Sequence, residues 1–430
     1  MSNIEWRPWL MLGVFSLVGF LITASTFSSL GVVLPNMIAE EHWSWGEAGI
    51  GFTILGAACG FSSFIPMLLI RRFGVRFTLI LGTAVMVGGF AALSQTRGLP
   101  LYFIGAALCG VGFQMMALIP GTHVLAIVFK HRAMPFGAYF TLSALGGVAG
   151  PWIVLGVMRA THDQWRIYWL VQAALSVIVG VICAVAVGGP GWLARQSERT
   201  DEAVAEELAI SRTGPVYRTA SSWTVAEALR TPQFYILLAA YFGHLLIGVS
   251  VAGMSVGHLT ERGIAITVAG AMLSLESLVQ TAGRALGGLL GDLIEPRYVL
   301  LFALFCLTLG AVALSVAHDY PTMLLYAVGS GLGFGLTALS VTVLLLNYFG
   351  RKHNLEIFSL TCLVGGVSAL GPTIGGYIRD GAGSFTPAFQ LYAGVIVVIL
   401  VAATFMRPPR RAGETPGGVA QGAGILDEAA

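Results

Sequence analysis

Ala269-Gly270-Ala271-Met272-Leu273-Ser274-Leu275-Glu276-Ser277-Leu278-Val279-Gln280-Thr281-Ala282-Gly283-Arg284-Ala285-Leu286-Gly287-Gly288-Leu289-Leu290-Gly291 is the stretch on which the reading of this chain turns. It is apolar and long enough to cross a bilayer, which takes about 20 residues, yet it carries Arg284. A guanidinium stays protonated at any physiological pH. At membrane depth it costs about 2.5–3.5 kcal/mol on insertion scales. Arg284 is therefore expected to face a water-filled cavity or a partner. A fixed positive charge in a cavity is a natural site for an organic anion. The other reading is a structural pair with an acid or with helix-end carbonyls, although few acids occur in the other apolar stretches.

The rest of the composition agrees with a bilayer. The 430 residues are 56% hydrophobic and 10% charged, with a mean hydropathy of +0.82. A soluble domain carries about 25% charged residues. The chain reads as an all-α integral membrane protein, and its 56 glycines suit closely packed membrane helices. No basic stripe points to nucleic acid, and the net charge of +2 says nothing about a partner. Cys59, Cys109, Cys183, Cys306 and Cys362 lie in apolar runs without metal-ligand spacing and read as small buried hydrophobes. The acids and histidines form no triad or metal spacing, and no Gly-rich phosphate loop with a Lys occurs. Neither an enzyme nor a cofactor is expected.

Hydropathy predicts twelve spans, near 9–34, 47–70, 75–94, 100–128, 134–158, 166–188, 233–257, 265–291, 298–317, 321–347, 355–378 and 386–406. The first is too long for a signal-peptide core and has no clear cleavage site. The expected domains are a six-helix bundle over 1–188, a central loop over 189–232, a second bundle over 233–406 and a disordered tail over 407–430. The loop holds an acidic stretch near 201–208, read as a surface helix, and Thr224-Val225-Ala226-Glu227, which has capping-box form. Put the termini, the central loop and the even-to-odd loops on one side. That side then holds 17 of the 23 Lys and Arg, the opposite side holds five, and Arg284 is the remaining one. The asymmetry places both termini in the cytoplasm.

The halves also repeat. Gly110-Val111-Gly112-Phe113 matches Gly331-Leu332-Gly333-Phe334 at an offset of 331 − 110 = 221, and Gly150-Pro151 and Arg76 match Gly371-Pro372 and Arg297 at the same offset. Gly146-Gly147-Val148 matches Gly365-Gly366-Val367 at 219. A parallel six-helix repeat is a transporter signature, with substrate near the midplane between the halves. Gly150-Pro151 and Gly371-Pro372 are expected to bend the fifth and eleventh spans.

Twelve spans, a central loop and this repeat resemble the major facilitator superfamily, from Trp9 to Met406. Gly288-Leu289-Leu290-Gly291-Asp292 followed by Arg297 is similar to that family's loop motif, which latches the cytoplasmic side. The N-half copy, Arg71-Arg72-Phe73-Gly74-Val75-Arg76, departs from it, because Arg71 stands where an Asp is usual. Within the superfamily, Phe129 to Gly137, His258 to Gly263, and Gly283-Arg284 with Gly287-Gly288 and Asp292 resemble the monocarboxylate and oxalate–formate branch. The helix-one signature of the animal members is absent, so the chain looks like a bacterial relative, in the inner membrane. The resemblance implies that Arg284 binds a substrate carboxylate.

In the animal monocarboxylate transporters of that branch an Asp one turn before the Arg carries the coupling proton. That position is Gln280 here, which cannot titrate, and Glu276 one turn further out is the candidate replacement. Glu276, Gln280 and Arg284 recur every four residues, so each is rotated by about 40° from the last and all can share one face. Glu276 and Arg284 lie about 12 Å apart along the axis, too far for a direct pair on one helix. Glu276 is alternatively a hydrogen-bonding partner of a neighbouring helix. The eleventh span, 357–378, lacks the Lys of the oxalate type, and one charge suits a monoanion. His123, Tyr241 and His244 are further candidates to line a cavity, or else satisfied polar groups between helices. The expectation is a monomeric secondary transporter of a small organic anion with a proton as co-substrate. Carriage of a neutral or aromatic catabolite such as a lactone, efflux of a drug or metabolite, and a membrane sensor are the alternatives.

Overall fold

The computed structural model describes residues 6–129, 133–187, 219, 223–290, 294–350 and 354–409. All regular structure among them is helical, and apart from the short helix Val225–Ala228 it forms twelve spans. Span 1 runs Trp6–Thr23, through a π turn at Ala24–Ser28, to Ser29–Glu41. Span 2 is Trp45–Phe61 followed by 64–73, and span 3 is 75–94. Gly74, at φ 85°, makes the turn between them, a backbone conformation that suits glycine. Span 4 joins Leu99–Phe113 to Ile119–Val128 through a second π turn, Gln114–Leu118. Spans 5 and 6 are Ala133–Ala160 and Trp165–Ala186. In the second half, spans 7 to 10 are Pro232–Glu261, Ile266–Leu290, Pro296–Val316 and Tyr320–Phe349. Span 11 joins Asn354–Val367 to Gly371–Ala382 through a 3₁₀ turn, and span 12 is Thr386–Thr404.

Nine continuous helices among the described residues are long and apolar enough to cross a membrane by themselves. The exceptions are informative. Span 2 breaks at Ser62–Ser63, span 8 is diluted by its polar residues, and span 11 breaks at Ser368–Leu370. The expected bend is thus a break only in span 11, because Pro151 sits inside the continuous helix of span 5. The Thr224 capping box forms and starts the short helix Val225–Ala228. The expected surface helix near 201–208 and the tail from 410 lie outside the described residues. Cys109, Cys183 and Cys306 are buried, Cys59 is half-buried, and these four are free thiols; the side chain of Cys362 lies outside the described residues.

The repeat is visible in the packing. A Cβ at Gly331 would lie under 3.0 Å from the Glu276 carbonyl oxygen, and one at Gly110 equally close to that of Leu55, 221 residues earlier. Gly310 is pressed against Ser330 as Gly89 is against Cys109. Gly335 abuts the Gln280 carbonyl, and at its counterpart Gln114 the amide donates to the Cys59 carbonyl at 2.8 Å. Lipid tails are as apolar as leucine, so these close backbone approaches, rather than hydrophobic burial alone, hold the spans together.

Between the halves, span 2 packs on span 11, span 8 on span 5 and span 1 on span 7. Gly49 meets Pro372 and Gly270 meets Pro151, again at the common offset, and Gly31 meets the Ala252 carbonyl. These contacts lie from the middle of the spans to the side opposite the termini, called here the far side.

Candidate functional site

The helix period puts Glu276, Gln280 and Arg284 of span 8 on one face, and Gly331 and Gly335 of span 10 let the two backbones touch at this level. A Cβ at Gly335 would fall under 3.0 Å from the Gln280 carbonyl and 3.2 Å from the Arg284 nitrogen. Arg284 is half-buried and, among the described residues, makes no ion pair and no hydrogen bond. Its guanidinium carbon lies 5.7 Å from the centroid of the Phe334 ring. A ring face attracts a cation, but weakly compared with a carboxylate, worth about 0.5–2 kcal/mol according to exposure. The structural-pair reading of Arg284 thus finds no acid among the described residues.

Span 7 completes the surroundings. The Phe334 ring occupies space left by Gly248, and the His244 ring lies 5.0 Å from it. Tyr241 packs edge-on against His244 at 4.7 Å and lies 6.0 Å from Phe358 of span 11. His244 is buried, and its Nδ1 has no hydrogen-bond partner among the described residues. The structure therefore joins three sequence candidates, Arg284, His244 and Tyr241, through an aromatic ring that sequence reasoning passed over. Phe334 was visible only as the end of a repeated Gly-Leu-Gly-Phe, and nothing local marked Phe358.

Glu276 is buried, 6% exposed, and among the described residues its carboxylate accepts only a long bond, 3.4 Å, from the Ser277 hydroxyl. No cation stands within ion-pair distance of it among the described residues. Its alternative role, bonding to a neighbouring helix, is not taken up there either, since Ser277 is its own neighbour. Gln280 is half-buried and contributes its backbone to the contact with span 10. His123, in span 4 of the other half, is exposed, and no hydrogen bond or ring contact ties it to the Arg284 group.

The loop-motif residues divide. Arg297 donates from Nη2 to the Thr404 carbonyl at 2.6 Å, a cation on the C-terminal end of span 12. Arg76 is exposed and unpaired among the described residues. Gly288 lies in the last turn of span 8, and Asp292 falls outside the described residues. The Arg297 bond joins helices of the same half.

A half-buried cation that makes no ion pair among the described residues and stands beside aromatic rings can hold an anion. The family model described as Major Facilitator Superfamily matches residues 16–257 and 244–427. The uncharacterized transporter YycB of Bacillus subtilis is 23% identical over 91% of this chain and 91% of its own. Monocarboxylate transporter 13 of Bos taurus is 25% identical, covering 84% of this chain and 80% of its own. Monocarboxylate transporter 3 of Rattus norvegicus is 23% identical over 78% and 66%. Among solved structures, a crystal structure of a mutant nucleoside transporter NupG superposes with a TM-score of 0.70 at 13% identity, over 92% of this chain and 99% of that one.

Proposed function

Since the chain belongs to the major facilitator superfamily and is a membrane transporter rather than an enzyme, we propose that it carries a small organic monoanion across the bacterial inner membrane by proton-coupled uptake. The observation that carries this reading is Arg284, half-buried and without an ion-paired acid among the described residues. A substrate carboxylate supplies the missing charge through two parallel N–H···O bonds, the geometry a guanidinium favours. The similarity to two monocarboxylate transporters supports the same substrate class.

In this reading the bundles 1–188 and 233–406 rock about the site in a monomer, and the loop 189–232 and tail 407–430 stay in the cytoplasm. The charge asymmetry of the loops supports that orientation, which makes the far side the external face. Phe334, Tyr241 and Phe358 surround the apolar remainder of the substrate. These rings also favour a second reading, a neutral aromatic compound or lactone, in which Arg284 donates to a carbonyl.

A ligand that binds the native state raises its melting temperature by mass action. Purified protein screened against lactate, pyruvate, acetate, oxalate, benzoate and muconolactones is expected to respond to monocarboxylates. A response confined to lactones, or none to any carboxylate, sinks the anion reading.

Glu276 is the proposed proton carrier, as the buried carboxyl that shares the Arg284 face. Glu276→Gln keeps its shape and removes its titration. The variant is expected to lose accumulation driven by a pH gradient in proteoliposomes while retaining substrate counterflow. Accumulation at the wild-type level would show that the proton travels elsewhere.

A further inference from the structure

On the far side the halves meet along two flanks related by the 221-residue offset, and the two are built differently. On the flank between spans 2 and 11, the Asp380 carboxylate accepts the backbone N–H groups of Trp45 at 3.2 Å and Gly46 at 2.8 Å. These open the first helix of span 2. The first four N–H groups of a helix have no intrahelical partner of their own turn. Here the Glu47 carboxylate accepts the Ser44 N–H at 2.9 Å, the Ser44 hydroxyl accepts the Glu47 N–H at 3.1 Å, and Asp380 takes the two that remain. The partner is thus supplied by the other half of the molecule, and its charge suits the positive end of the helix. Arg379 anchors this end of span 11 to span 7, donating from Nε to Glu261 at 2.8 Å. Two turns deeper, the Thr53 hydroxyl donates to the Ala369 carbonyl at 2.5 Å.

On the flank between spans 5 and 8 the residue at Asp380's place is Arg159, and those at the places of Trp45 and Gly46 are Ile266 and Thr267. Arg159 is exposed and has the wrong sign to cap a helix start. A cleft of about 300 Å³ lies there, lined by Arg159, Ile266, Thr267, Asn36 and Asp163 among others. Deeper in, this flank meets through Gly270 against Leu155 and Pro151.

We propose that Asp380 is the latch that holds the far side of this transporter closed, and that its two bonds to span 2 must break before that side opens. The latch is one-sided, and Arg159 marks the flank that lacks it. This inference depends on the halves separating and not on which substrate is carried.

Amide hydrogen exchange read by mass spectrometry, on substrate-free full-length protein in nanodiscs, tests it. Asp380→Ala is expected to increase deuterium uptake in peptides covering the far-side ends of spans 2 and 11. The expected shift in the ratio of closed to open molecules is about two- to thirty-fold, the range for loss of a helix cap. Asp380→Asn, whose side-chain oxygen still accepts, should move the same way by less. Arg159→Asp places a carboxylate at the start of span 8 and should shift uptake in the opposite direction, most of all in peptides starting at residue 266. Far-side exchange equal to wild type in both Asp380 variants overturns the latch, as does an Arg159→Asp protein that exchanges faster there than wild type. Should Asp380→Ala fail to fold, Asp380→Asn and Arg159→Asp carry the same test. No transport is measured, so a failed anion reading leaves this result standing.

Discussion

Arg284→Ala is expected to abolish carboxylate uptake into proteoliposomes while the protein still inserts and melts as a folded species. The side chain has no ion pair or hydrogen bond among the described residues, so its removal breaks no bond between helices. What it removes from the fold is the contact with the Phe334 ring, worth about 0.5–2 kcal/mol. What it removes from a bound carboxylate is larger. Truncating one partner of a buried, hydrogen-bonded charge pair costs about 2–5 kcal/mol, which is roughly 30- to 4,000-fold in affinity. Arg284→Lys keeps the charge but loses the planar fork of donors and should fall between the two. Uptake in Arg284→Ala at the wild-type rate would remove the basis for an anion site. Equal losses in both variants would point to the fork rather than the charge.

Gly335→Val is expected to lower the thermal midpoint and stop transport together. A Cβ there would fall under 3.0 Å from the Gln280 carbonyl and 3.2 Å from the Arg284 nitrogen, both backbone atoms of span 8 that cannot rotate away. Spans 8 and 10 must then part at the level of Arg284. Overpacking of this kind typically costs about 1–3 kcal/mol, occasionally more. It also displaces the face that carries Glu276, Gln280 and Arg284 relative to Phe334. Gly394→Val in span 12 is the control, because a Cβ there meets nothing within 4 Å. If both valine variants melt and transport alike, the close approach of spans 8 and 10 is not what positions the site.

The fold was legible because its signals are local or periodic. Twelve apolar stretches, a lopsided distribution of Lys and Arg and a 221-residue offset need no knowledge of neighbours. The offset proved to be a packing rule, with Gly331 on Glu276 repeating Gly110 on Leu55. Arg284, too, announces itself by its cost in a bilayer. His123 shows the limit of that logic. A histidine in an apolar run draws attention, but its direction from the helix depends on which neighbours surround it, and here it is exposed and untied to the others. Phe334 shows the converse, since one phenylalanine among 24 carries no mark until Gly248 makes room for its ring beside Arg284.

The sequence by itself therefore determined the solvent of this protein, its number of spans, its duplication and its one charge deep in an apolar helix, since each follows from hydropathy, spacing and the energy of burying a cation. Only the tertiary structure decided who stands beside whom. Among the described residues it left Arg284 over an aromatic ring rather than in an ion pair, and kept Glu276 buried with only Ser277 to bond. It also brought Asp380 onto Trp45, 335 residues away in the chain. The reason is physical: a helix fixes the relation of residues three and four apart, whereas partners on different spans are set by how closely glycines let two backbones approach.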